Sequence, residues 1–175
     1  MNLKARPVSE SRVEMVELVL PNDGNIHGSI LGGKVMHLMD MAAAIAAHRH
    51  CRRPVVTASM DRVDFRHPVR VGQLIILMAS VNHVAQTSME VGVKVFSEDL
   101  NTGDRLHTSS AYATFVALGP SGRPTPVPSL LLETEEDRRR FREGEARRAA
   151  RLREREARQS GTSRPESKDP HAQEA

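Results

Sequence analysis

Pro21-Asn22-Asp23-Gly24-Asn25-Ile26-His27-Gly28-Ser29-Ile30-Leu31-Gly32-Gly33 runs directly into residues 34–51, an apolar segment that carries one carboxylate, Asp40. Turn-forming residues fill the first part. From Gly33 to about His50 there is no helix breaker, and Met36, Leu38, Met39, Met41, Ala42, Ala43, Ile45 and Ala46 cover most faces, which predicts a buried helix. A glycine-punctuated loop that opens a helix leaves backbone N–H groups free at its start, where negative charge is favoured. Asp40 lies about two turns further in, where an uncompensated charge is normally avoided. Together they predict an oxyanion site facing a general base, built without a metal.

On the N-terminal side, residues 13–20 read as a strand, followed by the loop. Beyond the helix come four strand-like runs: residues 54–66, closed by His67-Pro68; 72–85; 88–97; and 105–118, after the turn Asn101-Thr102-Gly103-Asp104. The third alternates Met89, Val91, Val93 and Val95 against Glu90, Gly92 and Lys94, with Phe96 the exception. The order β-α-β-β-β-β predicts an α+β domain in which a long antiparallel sheet curls around one central helix.

That domain is expected to occupy residues 1–128, because 119–128 is rich in Pro, Gly and Ser and cannot be a central strand. Residues 129–158 read as a charged, Arg-rich helix. Between 133 and 158, ten Arg face eight acids, with i,i+4 pairs such as Glu135/Arg139, Glu136/Arg140, Glu143/Arg147 and Glu154/Arg158. A solvated helix interrupted by Gly144 is expected. Residues 159–175 are polar and are expected to be disordered.

The 175 residues are 39% hydrophobic and 27% charged, ordinary usage for a soluble chain. Aromatics make up only 3% and Trp is absent, so the core must be aliphatic. Cys51 is the only cysteine, which rules out an intrachain disulfide or a thiolate cluster within one chain. No apolar run is long enough for a bilayer and the start lacks a signal-peptide pattern, so a cytoplasmic setting without membrane contact is expected. His48 and His50 stand i,i+2 and make a poor metal pair, and no metal is expected.

Two readings of Asp40 stand side by side: a structural ion pair at a polar helix edge, or a general base among uncharged flanks. Asn25 is a turn former by type, but its amide can also orient a water or carbonyl, while the N–H at Gly33 or a neighbour stabilises an oxyanion. His27, beside them, is read as structural.

Pro-Asn-Asp-x-x-x-His-Gly-x-x-x-Gly-Gly, then Met36-x-x-Met39-Asp40, Arg49-His50-Cys51 and Val56-Thr57-Ala58-Ser59-Met60-Asp61, resembles the hotdog-fold acyl-CoA thioesterases. Within these it is most similar to the cytosolic acyl-CoA hydrolases, both single-domain bacterial enzymes and tandem-domain brain-type ones. Thr87-Ser88-Met89-Glu90-Val91 and residues 111–118 extend the likeness over roughly residues 13–118.

The resemblance implies hydrolysis of acyl-CoA to free acid and CoA, with no cofactor beyond the CoA of the substrate. Asn25 and Asp40 would act together from different subunits, Asp40 as general base or nucleophile and Gly33 N–H polarising the carbonyl. It further implies a homodimer as minimal unit, assembled as a trimer of dimers. Thr87, Ser88, Arg62 and Arg66 are candidates for the CoA phosphates and pantetheine; the plainer reading is a hairpin turn and exposed strand charges. Leu31 stands where relatives often have Phe, which bears on acyl-chain preference.

A competing function is a hotdog regulator that senses acyl-CoA without cleaving it. The presence of both Asn25 and Asp40 argues against it, since a sensor needs no base beside the thioester. Nucleic-acid binding by the Arg-rich segment is disfavoured: its acids nearly cancel its arginines, and Phe141 is its only aromatic.

Overall fold

Helix α1 (Gly32–Cys51) buries Val35, Leu38, Met39, Ala42, Ala43, Ala46, Ala47, His50 and Cys51, an apolar stripe that only a curved sheet can cover. The computed structural model describes residues 3–61 and 63–161. The covering sheet is antiparallel throughout and contains β2 (Val13–Leu18), β3 (Val55–Met60), β4 (Leu74–Val84), β5 (Ser88–Glu98) and β6 (Arg105–Ala117). Its order is β2-β4-β5-β6-β3, so the crossover through α1 places β3 at one edge. A short parallel pair, β1 (Arg6–Pro7) with β7 (Leu130–Leu131), ties the two ends of the domain together. No described helix is long and apolar enough to cross a membrane.

Strand alternation makes the core. Ile75, Leu77, Ala79 and Val81 of β4, Met89, Val91, Val93 and Val95 of β5, and Ala111, Ala113, Phe115 and Ala117 of β6 all belong to the cluster around α1. Alanines on both the helix and β6 let the two backbones approach closely. Phe96, the exception to alternation, keeps its parity: it lies on the outer face, where its ring stands 5.3 Å from that of His107.

The sheet wraps only half of the helix. Met36, Met41 and Ile45 of α1 and Val56 of β3 stay 37–46% exposed, so the helix expected to be buried all round has one apolar stripe outside. The strand expected over residues 54–66 ends at Met60. A bulge between Thr57 and Ser59 shifts its register, and the chain then turns off the edge, held by Asp61 N–H donating to Tyr112 O at 2.8 Å.

The C-terminal helix α2 (Glu135–Gly161) starts with reciprocal bonds: Asp137 N–H donates to Thr134 Oγ1 and Thr134 N–H to Asp137 Oδ2. Of the expected i,i+4 pairs, Glu136/Arg140 and Glu143/Arg147 form, while Glu135 pairs with Arg138 instead. Two expectations are corrected. The helix is not interrupted at Gly144, and it is not simply solvated: one face lies on the outer surface of the sheet. A Cβ at Gly144 would stand 2.8 Å from His83 Cβ and 2.9 Å from Glu90 Oε1, so the glycine marks close approach rather than a break. The helix also runs three residues into the segment expected to be disordered; residues 162–175 lie outside the described residues.

His50 fastens the end of α1. Its Nε2–H donates to Pro128 O at 2.9 Å, while Nδ1 is buried with no hydrogen-bond partner among the described residues. A second proton would place a charge where no acceptor waits, and burial accordingly pushes the His50 pKa down; His83 is lowered by burial as well. A depressed folded pKa means the unfolded chain binds more protons as pH falls below about 6.5. Stability is therefore expected to be flat above neutrality and to decline as pH drops through 6.5 toward the folded values. Urea midpoints between pH 8 and 5 should show this, and His50→Gln should flatten the slope; an unchanged slope would remove His50 as a cause.

Candidate active site

The loop between β2 and α1 is tied down along its whole length. Asp23 is the hub: Oδ2 accepts from Leu20 N–H, and Oδ1 faces Lys34 Nζ at 3.4 Å. Ile30 N–H donates to Val69 O and Val71 N–H to Gly28 O, which sews the loop to the β3–β4 connection. Within it, Asn25 Oδ1 accepts from the backbone N–H groups of His27, at 2.9 Å, and Ser29, at 3.3 Å. Since N–H donors fix which end of the amide is oxygen, Nδ2 is the donor end, and no described residue accepts a hydrogen bond from it. The turn-forming and functional readings of Asn25 are thus compatible.

Gly33 is the second residue of α1, inside the first turn, where N–H groups have no intrahelical acceptor. Among the described residues nothing lies within 4 Å of where its Cβ would be. The fold of this chain does not itself demand glycine there, and the space beside its Cα is open.

Asp40 lies half-buried on the partly exposed side of α1, and Thr57 Oγ1 donates to its Oδ1 at 2.7 Å. Helix and edge strand are thereby linked across the open flank of the sheet. The flanks of Asp40 along the helix offer no partner; the partner comes from β3, seventeen positions away. Thr57 is the residue that sequence reasoning missed. A threonine in a strand-forming run carries no signal of its own, although it stood inside the quoted stretch Val56-Thr57-Ala58-Ser59-Met60-Asp61. Cys51 is no rival nucleophile: it is buried, donates to Arg53 O, and burial pushes its thiol up.

Asn25 lines a cavity of about 570 Å³ together with Gly32, Val35, Phe65, Arg66 and Ser109. Asp40 is not among the residues that line this cavity. Among the suggested CoA-binding residues, Arg66 belongs to this cavity and its backbone N–H donates to Thr108 O. Thr87 and Ser88 lie elsewhere, in a groove of about 1090 Å³ between the β4–β5 turn and the arginines of α2. One chain therefore separates them from Arg66. Arg62 lies outside the described residues.

Residues 27–103 match the family model described as Thioesterase superfamily. The chain is 46% identical over 134 residues to an uncharacterized acyl-CoA thioester hydrolase of Bacillus subtilis, covering 77% of this chain and 78% of that one. It is 38% identical over 149 residues to the cytosolic acyl coenzyme A thioester hydrolase of Rattus norvegicus, covering 84% of this chain but 39% of the longer rat protein. Among solved structures, a hexameric acyl-CoA thioesterase superposes with a TM-score of 0.84 at 42% identity, over 87% of this chain and 97% of that chain. The acyl-CoA hydrolase of Staphylococcus aureus, in complex with butyryl coenzyme A, coenzyme A and coenzyme A disulfide, gives 0.79 at 31% identity, over 91% and 99%. With a half-barrel of five antiparallel strands around α1 and a Bacillus subtilis relative matched over 78% of its length at 46% identity, the chain belongs to the thioesterase superfamily, in its hotdog fold.

Proposed function

We propose that this protein is an acyl-CoA thioesterase that hydrolyses the thioester to free acid and CoA. The observation that carries this reading is the carboxylate of Asp40, held by Thr57 Oγ1 at 2.7 Å on the open flank of the fold. The same three residue types recur at the same intervals in the S. aureus acyl-CoA hydrolase. Alanine variants of that enzyme replace an asparagine, an aspartate and a threonine at its positions 28, 43 and 60. Those intervals of 15 and 17 residues are the ones that separate Asn25, Asp40 and Thr57 here.

In the proposed reaction Asp40 takes a proton from water, and the hydroxide adds to the thioester carbonyl. Asn25 Nδ2 and Gly33 N–H donate to the oxygen that gains negative charge. Collapse breaks the C–S bond, and the proton held by Asp40 passes to the departing thiolate of CoA. Direct attack by Asp40, which forms an anhydride that water then cleaves, uses the same residues. Thr57 is given no contact with the substrate in either route; by donating to Asp40 Oδ1 it positions the carboxylate. The substrate supplies the CoA and no further cofactor is required.

That Asn25 lines a cavity whose walls do not include Asp40 supports a site shared between two subunits. The apolar stripe of Met36, Met41 and Ile45 beside the edge strand β3 offers a surface for that pairing. A trimer of such dimers agrees with the hexameric relative.

Free-thiol release from a panel of acyl-CoAs tests the activity. Asn25→Ala is expected to lower kcat about 10²–10³-fold, the effect of losing one oxyanion donor. Wild-type protein that binds CoA but releases no thiol would replace the hydrolase with the sensor reading. An Asn25→Ala protein with near-normal turnover would leave the hydrolase standing and remove Asn25 from it.

A further inference from the structure

We propose that Arg151 of the C-terminal helix is a positioning residue for the active site: through Asp61 it fixes the end of β3, the strand whose Thr57 holds Asp40. This rests on the thioesterase reading and adds to it a role for the charged helix.

The need for such a fixture follows from where Thr57 sits. β3 is six residues long and within one chain is paired only with β6, at the edge of the sheet. The bulge falls immediately after Thr57, and regular pairing stops at Met60. The stretch from the bulge to Asp61 therefore has few ladder bonds to hold it, whatever covers the outer edge of β3 in the dimer. A 2.7 Å hydrogen bond from Thr57 to Asp40 nevertheless requires the strand to be placed within a few tenths of an ångström.

The outer face of the sheet supplies what the ladder lacks. Arg151 Nη1 donates to Asp61 Oδ2 at 2.7 Å, one residue past the end of β3. The other arm of the same guanidinium donates to Glu90 Oε2 at 2.8 Å. Glu90 stands on β5, in the interior of the sheet, with its side chain 1% exposed. Its second oxygen accepts from Arg147 Nε at 3.1 Å and Nη2 at 2.8 Å, and the Arg147 guanidinium lies 3.6 Å from the centroid of the Tyr112 ring. Tyr112 in turn accepts the backbone N–H of Asp61. The edge strand is thus bolted to an interior strand across β6 by one planar fork whose two arms are both engaged, a task for which Arg is suited and a Lys point charge is not.

An exposed ion pair between Arg151 and Asp61 would do little. Both side chains are 25% exposed, however, and the guanidinium is shared with a carboxylate that has no other access to solvent. Movement of Arg151 would cost Glu90 one of its partners as well, which keeps the fork in place.

The test compares Arg151→Ala, Arg151→Lys, Asp61→Asn, Thr57→Val and the double variant Arg151→Ala/Thr57→Val, with kcat, KM and Tm measured on one acyl-CoA. Arg151→Ala is expected to lower kcat about 10-fold with KM within about twofold, the scale of a sub-ångström misplacement. Arg151→Lys should recover part of it. Asp61→Asn leaves the Arg151–Glu90 contact, and so the docked helix, intact; it should lower kcat with an unchanged Tm. In the Thr57→Val background, removal of Arg151 should change kcat less than about twofold, because what it steadies is already gone.

Three results overturn the proposal. Asp61→Asn and Arg151→Ala could both keep normal kcat, the latter losing only Tm. The Arg151 and Thr57 effects could multiply in the double variant. Thr57→Val could be fully active. Each of these leaves a working thioesterase, whereas wild-type protein with no thiol release brings down both the activity and the positioning role.

Discussion

Asp40→Ala is expected to lower kcat for acyl-CoA hydrolysis by roughly 10²–10⁴-fold, the range that a positioned general base contributes, while the protein stays folded. The carboxylate is half-buried, and among the described residues Thr57 is its one hydrogen-bond partner. Truncation leaves an exposed threonine hydroxyl that water can satisfy, so the change in Tm should be small. Asp40→Asn sharpens the test. The amide oxygen still accepts from Thr57 Oγ1 and the volume is unchanged, but an amide neither takes a proton at neutral pH nor attacks a thioester. If Asp40 served only to brace β3 against α1, Asp40→Asn would keep its activity. Loss of turnover in Asp40→Asn to the same depth as in Asp40→Ala is the expected result. Retention of more than about a tenth of kcat by Asp40→Asn would move the base to another residue.

The parts of this molecule that were legible in its sequence are those set by local periodicity. Alternation of Met89, Val91, Val93 and Val95 fixed the inner face of β5, and the unbroken apolar run after Gly33 fixed α1 within a residue or two. The features that escaped depend on residues far apart in the chain. Thr57 reads as a strand former until β3 is laid beside α1. The end of β3 at Met60 follows from a bulge opposite β6, which no pattern within residues 54–66 announces. Gly144 reads as a helix breaker because an isolated glycine lowers helix propensity; the reason for it lies on other strands, at His83 and Glu90. The arginines of α2 read as a solvated ladder because their i,i+4 acids are present in the sequence. Arg147 and Arg151 donate to a carboxylate on β5, Arg147 with Glu143 only at 3.9 Å beside it, and nothing along the helix distinguishes them from Arg139 or Arg140, which bond their local acids.

Glu90→Ala is expected to release that helix. With α2 held down, loss of the shared carboxylate leaves the Arg147 and Arg151 guanidinium groups partly buried against the sheet, a situation that costs roughly 3–5 kcal/mol when one partner of a buried pair is removed. The helix has an exit that core residues lack: lifting off the sheet hydrates both arginines at once. The loss of Glu90 should therefore appear as undocking of α2 more than as collapse of the domain, with the penalty capped by the free energy of docking. Hydrogen exchange separates the two. Amides of α2 around residues 138–151 are expected to exchange at least about 100-fold faster, the rate equivalent of roughly 3 kcal/mol, while those of α1 and of β4 and β5 keep their protection. Glu90→Gln preserves volume and some hydrogen bonding but removes the charge, so it should fall between wild type and Glu90→Ala. Because the side chain is 1% exposed and lies on the opposite side of the sheet from α1, it does not reach Asp40. A fall in kcat at unchanged KM that accompanies the undocking would travel through Arg151, Asp61 and β3, whereas a rise in KM would point to the groove that Glu90 lines with Thr87 and Ser88. Uniformly faster exchange across α1 and the sheet would instead show that Glu90 supports the whole domain, and normal exchange throughout would show that the arginines find other partners without leaving the surface.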